Sequence, residues 1–156
     1  MSAQPQELWR LVPMSAGHLP FVLDIEKRSY PFPWTESIFS DCLKSGYSNW
    51  IIESSFMDVM GYASMSMAAG EAHILNLCVA PEYQGQGMGR YLLQHLIARA
   101  WEGHTQLLLL EVRRSNVAAQ TLYLAQGFKQ LSVRKDYYPA AGGREDAIVL
   151  GLELET

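Results

Sequence analysis

The chain has 156 residues, of which 49% are hydrophobic and 18% charged, which fits one globular domain with a real core and excludes disordered and fibrous classes. A formal net charge of -4 argues against a general nucleic-acid binder, because phosphate contacts need clustered Lys and Arg, though it suits a basic peptide acceptor. Cys42 and Cys78 form neither a CxxC pair nor a disulfide framework, and His18, His73, His95 and His104 are scattered without metal-ligand spacing, so a reducing compartment and no metal are expected.

The first residues carry no basic region followed by an apolar run, so no signal peptide is expected. No apolar stretch approaches the roughly 20 residues that span a bilayer, which leaves a cytoplasmic protein without membrane contact as the expectation. A short strand is predicted over 8–12. Residues 18–27 place Leu19, Val22, Leu23 and Glu26 at helical spacing. Pro31 and Pro33 then forbid a regular helix over 30–34. Thr35 reads as the N-cap of a second helix ending near Lys44. Strands follow over 49–53, 59–67 and 72–79, then a loop over 81–89. Residues 90–101 carry Leu92, Leu93, Leu96, Ile97 and Ala100 on one stripe, a helix packed on a sheet. The apolar run 107–112 reads as a strand covered on both faces. A short helix over 118–125, with Gly127 suited to its C-terminal cap, precedes strands over 129–138 and 147–153. No repeat or long linker divides residues 1–156, so the expectation is a single α+β domain: a mixed sheet of six or seven strands with helices on its faces.

The segment Gln84-Gly85-Gln86-Gly87-Met88-Gly89 lies between a strand and a helix. Unpaired N–H groups at a helix N-terminus, the helix dipole and glycines that permit close approach together suit a diphosphate. A plain Gly-rich connection is the alternative. Gly85-x-Gly87, with Glu111 at the end of the next strand, also imitates a dinucleotide fingerprint. Against that stand Arg90 where a small residue is needed, the spacer 81–84 before the glycines, and strands that do not alternate with helices. No Gly-Lys-Ser/Thr follows, which excludes a Walker loop.

The stretch Val79-Ala80-Pro81-x-Tyr83-Gln84-Gly85-Gln86-Gly87-Met88-Gly89-Arg90-x-Leu92-Leu93 resembles the acetyl-CoA signature of the GNAT N-acetyltransferase superfamily. Leu110-Glu111-Val112-Arg113-x-Ser115-Asn116 and Leu122-Tyr123-x-x-x-Gly127-Phe128 resemble the second half of that core. Tyr137-Tyr138-Pro139, Gly143-Arg144-Glu145-Asp146-Ala147 and Phe32-Pro33-Trp34 resemble the RimI-type ribosomal-protein-alanine N-acetyltransferases. The resemblance implies a GNAT fold: a mostly antiparallel sheet of six to seven strands, helices on both faces and a splayed acetyl-CoA-binding strand pair. It implies transfer of acetyl from acetyl-CoA, as co-substrate, to the N-terminal α-amine of a protein, alanine of a basic small-subunit ribosomal protein. A lysine, polyamine or other small-amine acceptor is the alternative within the fold. A monomer or weak dimer is expected.

The resemblance also carries residue roles. Leu77, Cys78 and Val79 are expected to meet the pantetheine through their backbones, with Gln84, Gly85, Gln86, Gly87, Met88, Gly89, Arg90 and Asn116 also on the cofactor. The turn lacks the arginine the family often carries, so phosphate binding rests on backbone N–H groups, the dipole and nearby Arg90. Cys78 reads as a packed side chain without an adjacent base to make it a nucleophile. Amide formation needs a neutral amine, and an α-amine has a pKa of roughly 7.7–8.0 against about 10.4 for lysine, so one carboxylate base suffices. Glu111 fits either that base or a solvent-facing strand end. As a base near apolar residues its pKa is expected to rise. Tyr123 fits either the general acid for the leaving thiolate or a core tyrosine, and the family pattern selects the acid. Asn116 suits a helix cap as well as a cofactor contact. Glu26, Phe32, Trp34, Tyr137, Tyr138 and Arg144 are candidates for an acceptor-peptide groove. For Phe32 and Trp34 a hydrophobic plug is equally open, and for Arg144 a pairing with Glu145 or Asp146.

Overall fold

The computed structural model describes residues 9–154. Leu8, where the first predicted strand begins, lies outside the described residues; β1 runs Trp9–Pro13. A single 3-10 turn leads into α1 (Leu19–Ser29). This helix buries Leu19, Val22, Ile25 and Glu26 and ends where Pro31 forces Tyr30 into the extended region, φ -131 and ψ 136. Residues 30–34 are irregular, as their prolines require. Thr35 Oγ1 accepts from Ile38 N at 3.4 Å and caps α2 (Glu36–Lys44). β2 (Ser48–Ser54), β3 (Val59–Ala68) and β4 (Glu71–Val79) follow. Helix α3 (Met88–Glu102) starts two residues before the predicted Arg90, because Gly87 O already accepts from Tyr91 N at 3.0 Å. β5 (Leu107–Arg113), α4 (Val117–Ala125), β6 (Lys129–Ala140) and β7 (Gly143–Glu153) complete the described chain.

Seven strands hydrogen-bond in the order β1-β2-β3-β4-β5-β7-β6. β4 and β5 are parallel, joined through α3, while β1–β2, β2–β3, β5–β7 and β6–β7 are antiparallel. The chain divides into two compact units. The first comprises the residues up to Met65 with Asn76–Leu96, and the second Ser66–Leu75 with the residues from Ile97. The first is built on a cluster of Met14, Leu19, Val22, Ile25, Phe39, Ile51, Val59, Tyr62, Cys78 and Ala80. In the second, Leu108, Leu110, Val112, Phe128, Ile148 and Leu150 are buried.

Two sequence expectations change here. β5 is covered fully on one face only: Leu108, Leu110 and Val112 are buried, while Leu107, Leu109, Glu111 and Arg113 are half-buried. Apolar residues on both faces had hidden this alternation. The loop expected over 139–146 contracts to Ala141 and Gly142, because β6 and β7 form one long hairpin. Gly142 supplies its turn with φ +78.

Helix α4 closes with Phe128 N bonded to Tyr123 O at 3.2 Å across a left-handed Gly127, φ +97. A Cβ there would meet Leu152 Cδ1 at 3.4 Å. Gly127→Ala is therefore expected to destabilise the protein by about 1–2 kcal/mol, the usual cost of a left-handed non-glycine residue, read from urea unfolding midpoints. An unchanged midpoint would show that the cap contributes nothing.

Candidate active site

The Gly-rich turn belongs to the first unit. Gly85 and Gly87 have φ of +81 and +85, conformations that exclude most side chains. A Cβ at either would meet nothing within 4 Å, so the backbone presents an open surface there. Met88 is buried and anchors the start of α3, whose first N–H groups have no partner one turn back. An open glycine backbone at the positive end of a 15-residue helix fits a diphosphate, so these residues fit the acetyl-CoA that the sequence implies. The β4–β5 ladder ends at Ile74↔Leu110, and Leu77, Cys78 and Val79 lie beyond it. Leu77 O accepts from Tyr30 Oη at 3.5 Å and Val79 O from Gln84 Nε2 at 3.1 Å. Cys78 is buried, and a Cβ on Gly61 would stand 3.0 Å from its carbonyl oxygen, so β3 approaches β4 closely at that point.

Glu26 is also in the first unit and is only 2% exposed. Its Oε1 accepts from Tyr62 Oη at 2.7 Å and Asn76 Nδ2 at 2.9 Å; its Oε2 accepts from Trp34 N at 3.0 Å. Burial pushes the Tyr62 phenol far up, so Tyr62 remains a donor to this carboxylate. Trp34 packs on Phe39 with ring centroids 5.1 Å apart, closing over the core cluster, whereas Phe32 is exposed. Among the sequence candidates, then, Glu26 and Trp34 are internal braces of the segment that exposes Phe32.

Glu111, in the second unit, departs from expectation. Its carboxylate lies below the usual range, principally because His73 Nε2 donates to its Oε2, against a smaller opposing effect of burial. The expected rise from apolar neighbours is thus overturned by one imidazole. Sequence reading had left His73 among the scattered histidines. The pair is 38 residues apart in sequence, and only the β4–β5 register, His73↔Leu109, sets His73 one step from Glu111 on the same face. Tyr138 senses the same carboxylate: burial first, then the Glu111 charge, push its phenol up to about 12.

Tyr123 is buried on α4 with its ring 5.6 Å from that of Phe128. Asn116 Oδ1 accepts from Ala119 N at 3.1 Å and caps α4, so the cap reading holds for that atom. Tyr137 and Tyr138 stack edge to face at 4.9 Å, and the Arg113 guanidinium lies 4.5 Å from the Tyr138 ring centre. Arg144 does not pair with Glu145 or Asp146. It donates to the carbonyls of Asp136 at 2.8 Å and Tyr137 at 3.0 Å. Glu145 is instead taken by Arg113 at 3.0 Å and Ser115 N at 2.8 Å. Among the described residues no group of three or more His, Cys, Asp or Glu could hold a metal, and no helix is long and apolar enough to cross a membrane.

Residues 19–128 match the Acetyltransferase (GNAT) family. The chain belongs to that family. A curated relative, the ribosomal protein bS18-alanine N-acetyltransferase of Escherichia coli K12, is 39% identical over 136 residues, spanning 87% of this acetyltransferase and 91% of the relative. A protein of the same name from Haemophilus influenzae is 37% identical over 133 residues, 84% of this chain and 89% of its own. The crystal structure of the E. coli ribosomal-protein-S18-alanine N-acetyltransferase superposes with a TM-score of 0.89 at 36% identity, covering 96% of each chain. The mixed, mostly antiparallel seven-stranded sheet is thus the GNAT fold. The NatC complex bound to Gag peptide and CoA shares this fold with a TM-score of 0.84 at 20% identity, over 95% of this chain and 99% of that one.

Two outcomes test the site's construction. Glu26→Ala strands three donors inside the acetyltransferase and is expected to destabilise it by about 3 kcal/mol or more, at roughly 1–3 kcal/mol per unsatisfied group, in urea unfolding; a loss below about 1 kcal/mol would mean that water replaces the carboxylate. Glu111 has a folded-state pKa below its ordinary 4.5. Its ionic contribution is therefore present above that ordinary value and is lost as pH falls through the lower folded one. The stability gap between wild type and Glu111→Gln is expected to stay level above about pH 5 and to shrink below about pH 4. A gap that persists unchanged into strong acid would contradict the depressed carboxylate.

Proposed function

We propose that this acetyl-CoA-dependent N-acetyltransferase acetylates the N-terminal alanine of ribosomal protein bS18, with Glu111 as base and Tyr123 as acid. The observation that carries the reading is the 39% identity to the named E. coli bS18-alanine enzyme along 87% of the chain. The family match runs from residue 19 to 128 and so includes parts of both compact units, which supports one acetyltransferase domain over 1–156.

Acetyl-CoA, when bound, supplies the activated acetyl group. The N–H groups at the start of α3, the open backbone of Gly85 and Gly87, Arg90 and the Asn116 amide would hold it, with the backbone of Leu77, Cys78 and Val79. The Glu111 carboxylate takes the proton of the attacking α-amine. An α-amine with a pKa of roughly 7.7–8.0 is already partly neutral at pH 7, so this depressed carboxylate has little of the work to do. The Tyr123 hydroxyl gives its proton to the departing thiolate. Phe32, Tyr137 and Tyr138 offer aromatic contact to the acceptor peptide, and the protein's net charge of -4 favours a basic one.

The test is thiol release from acetyl-CoA with four acceptors: a peptide with a free N-terminal alanine and a basic tail, its N-terminally blocked twin, a lysine-only peptide and spermidine. Turnover confined to the free alanine terminus is expected. Glu111→Gln and Tyr123→Phe are each expected to lower kcat by about 10²-fold, as loss of a general acid or base does. Turnover of spermidine or of the blocked peptide would overturn the α-amine acceptor.

A further inference from the structure

We propose that His73 is a positioning residue for Glu111, its imidazole fixing the carboxylate. The inference rests on the proposed role of Glu111 as base. The two side chains meet on one face of the second unit. Parallel pairing aligns Glu71 with Leu107 and His73 with Leu109, so Glu71, His73, Leu107, Leu109, Glu111 and Arg113 share that face. His73 Nε2 donates to Glu111 Oε2. The Glu111 side chain is 12% exposed and that of His73 37%. The carboxylate is thus enclosed and held by a group that itself reaches solvent.

Enclosure makes the hydrogen bond matter. A glutamate has three rotatable bonds, and fixing it near a reacting amine requires a partner that locks its rotamer. The imidazole supplies that partner at Oε2. Arg134 on β6 acts on Glu111 at any pH near neutrality, and Tyr138 on β6 stays a neutral phenol with a pKa of about 12. Arg113, two residues along β5, is engaged by Glu145 at 3.0 Å. Glu71, two residues before His73 on β4, is the remaining charged group on that face of β4.

The experiment compares wild type, His73→Ala, His73→Gln and Glu111→Gln in acetyl transfer to the alanine peptide, with a melting curve for each. Glutamine keeps an N–H donor. His73→Ala is expected to lower kcat by about tenfold, the order of cost of a loosened reacting group, with KM for acetyl-CoA unchanged. His73→Gln is expected to restore most of that rate. A wild-type kcat in His73→Ala overturns the inference, and so does a His73→Gln rate no higher than that of His73→Ala. Should Glu111→Gln be impaired while both His73 variants match wild type, the inference fails and the base assignment stands. Glu111→Gln at the wild-type rate removes the base assignment and this inference together.

Discussion

A carboxylate taken out of water is tolerable only where donors fill its lone pairs, and Glu26 carries that constraint for the first unit. Its three donors come from three places in the chain: the Trp34 backbone, the Tyr62 hydroxyl on β3 and the Asn76 amide on β4. Helix α1, the proline-interrupted segment and two strands are therefore fixed relative to one atom group. Trp34, held by its N–H, lies on Phe39, which in turn meets Tyr62 at 5.8 Å. The same helix reaches the turn before the glycines, where Arg28 pairs with Glu82 at 2.8 Å. That pair is exposed and contributes little on its own, so the weight rests on the buried carboxylate. The segment that exposes Phe32 and the approach to the Gly-rich turn share one brace.

The second unit uses arginine where the first uses glutamate. The β6–β7 hairpin slips register between Arg134 and Tyr138, a bulge that puts Asp136 at φ +51. Aspartate tolerates that region better than most residues, and its neighbours hold it there. Asp146 Oδ1 accepts from Asp136 N at 3.0 Å, and Arg144 donates to the carbonyl oxygens of Asp136 and Tyr137. Arg113 clamps the far end through Pro139 O at 2.8 Å and Glu145. A bulge would otherwise leave carbonyls without partners. Here those carbonyls are what the arginines bind, and the two tyrosines are set as a stacked pair.

The elements were legible because their signals are local. Pro31 and Pro33 broke a helix, Thr35 and Gly127 marked helix ends, and Gly85 and Gly87 marked a turn that glycine conformations bear out. What stayed hidden depends on register. Glu26 reads as an acceptor-groove candidate until Tyr62 and Asn76 arrive from 36 and 50 positions away. His73 has no local pattern linking it to Glu111; a pairing of two distant strands decides it. The sign of the Glu111 shift went astray for the same reason. Apolar neighbours in sequence argued for a raised value, and one hydrogen bond from another strand outweighs them. The strands expected over 129–138 and 147–153 stopped short of the turn, and the Arg113 bond to Pro139 O that holds the extended hairpin comes from another strand.

A depressed carboxylate is a weak base, and that bears on the acceptor. Releasing the proton of a lysine ammonium near pKa 10.4 rather than an α-ammonium near 7.7–8.0 costs roughly 3 kcal/mol more at neutral pH. A site built for lysine would gain from a base raised towards neutrality by burial. In this protein the enclosure that could raise Glu111 is offset by the His73 hydrogen bond and by Arg134. On the proposed reading, the enzyme depends on an acceptor with an appreciable neutral fraction and asks Glu111 for orientation and proton capture after attack begins. At pH 7 roughly a tenth of an N-terminal amine is neutral, against under a thousandth of a lysine side chain. The hydrogen bond that makes Glu111 a poor base for lysine is therefore consistent with its being an adequate one for an α-amine. On that reading, selectivity between the two amines starts from the charge state of the acceptor, before any contact with the peptide beyond its terminus.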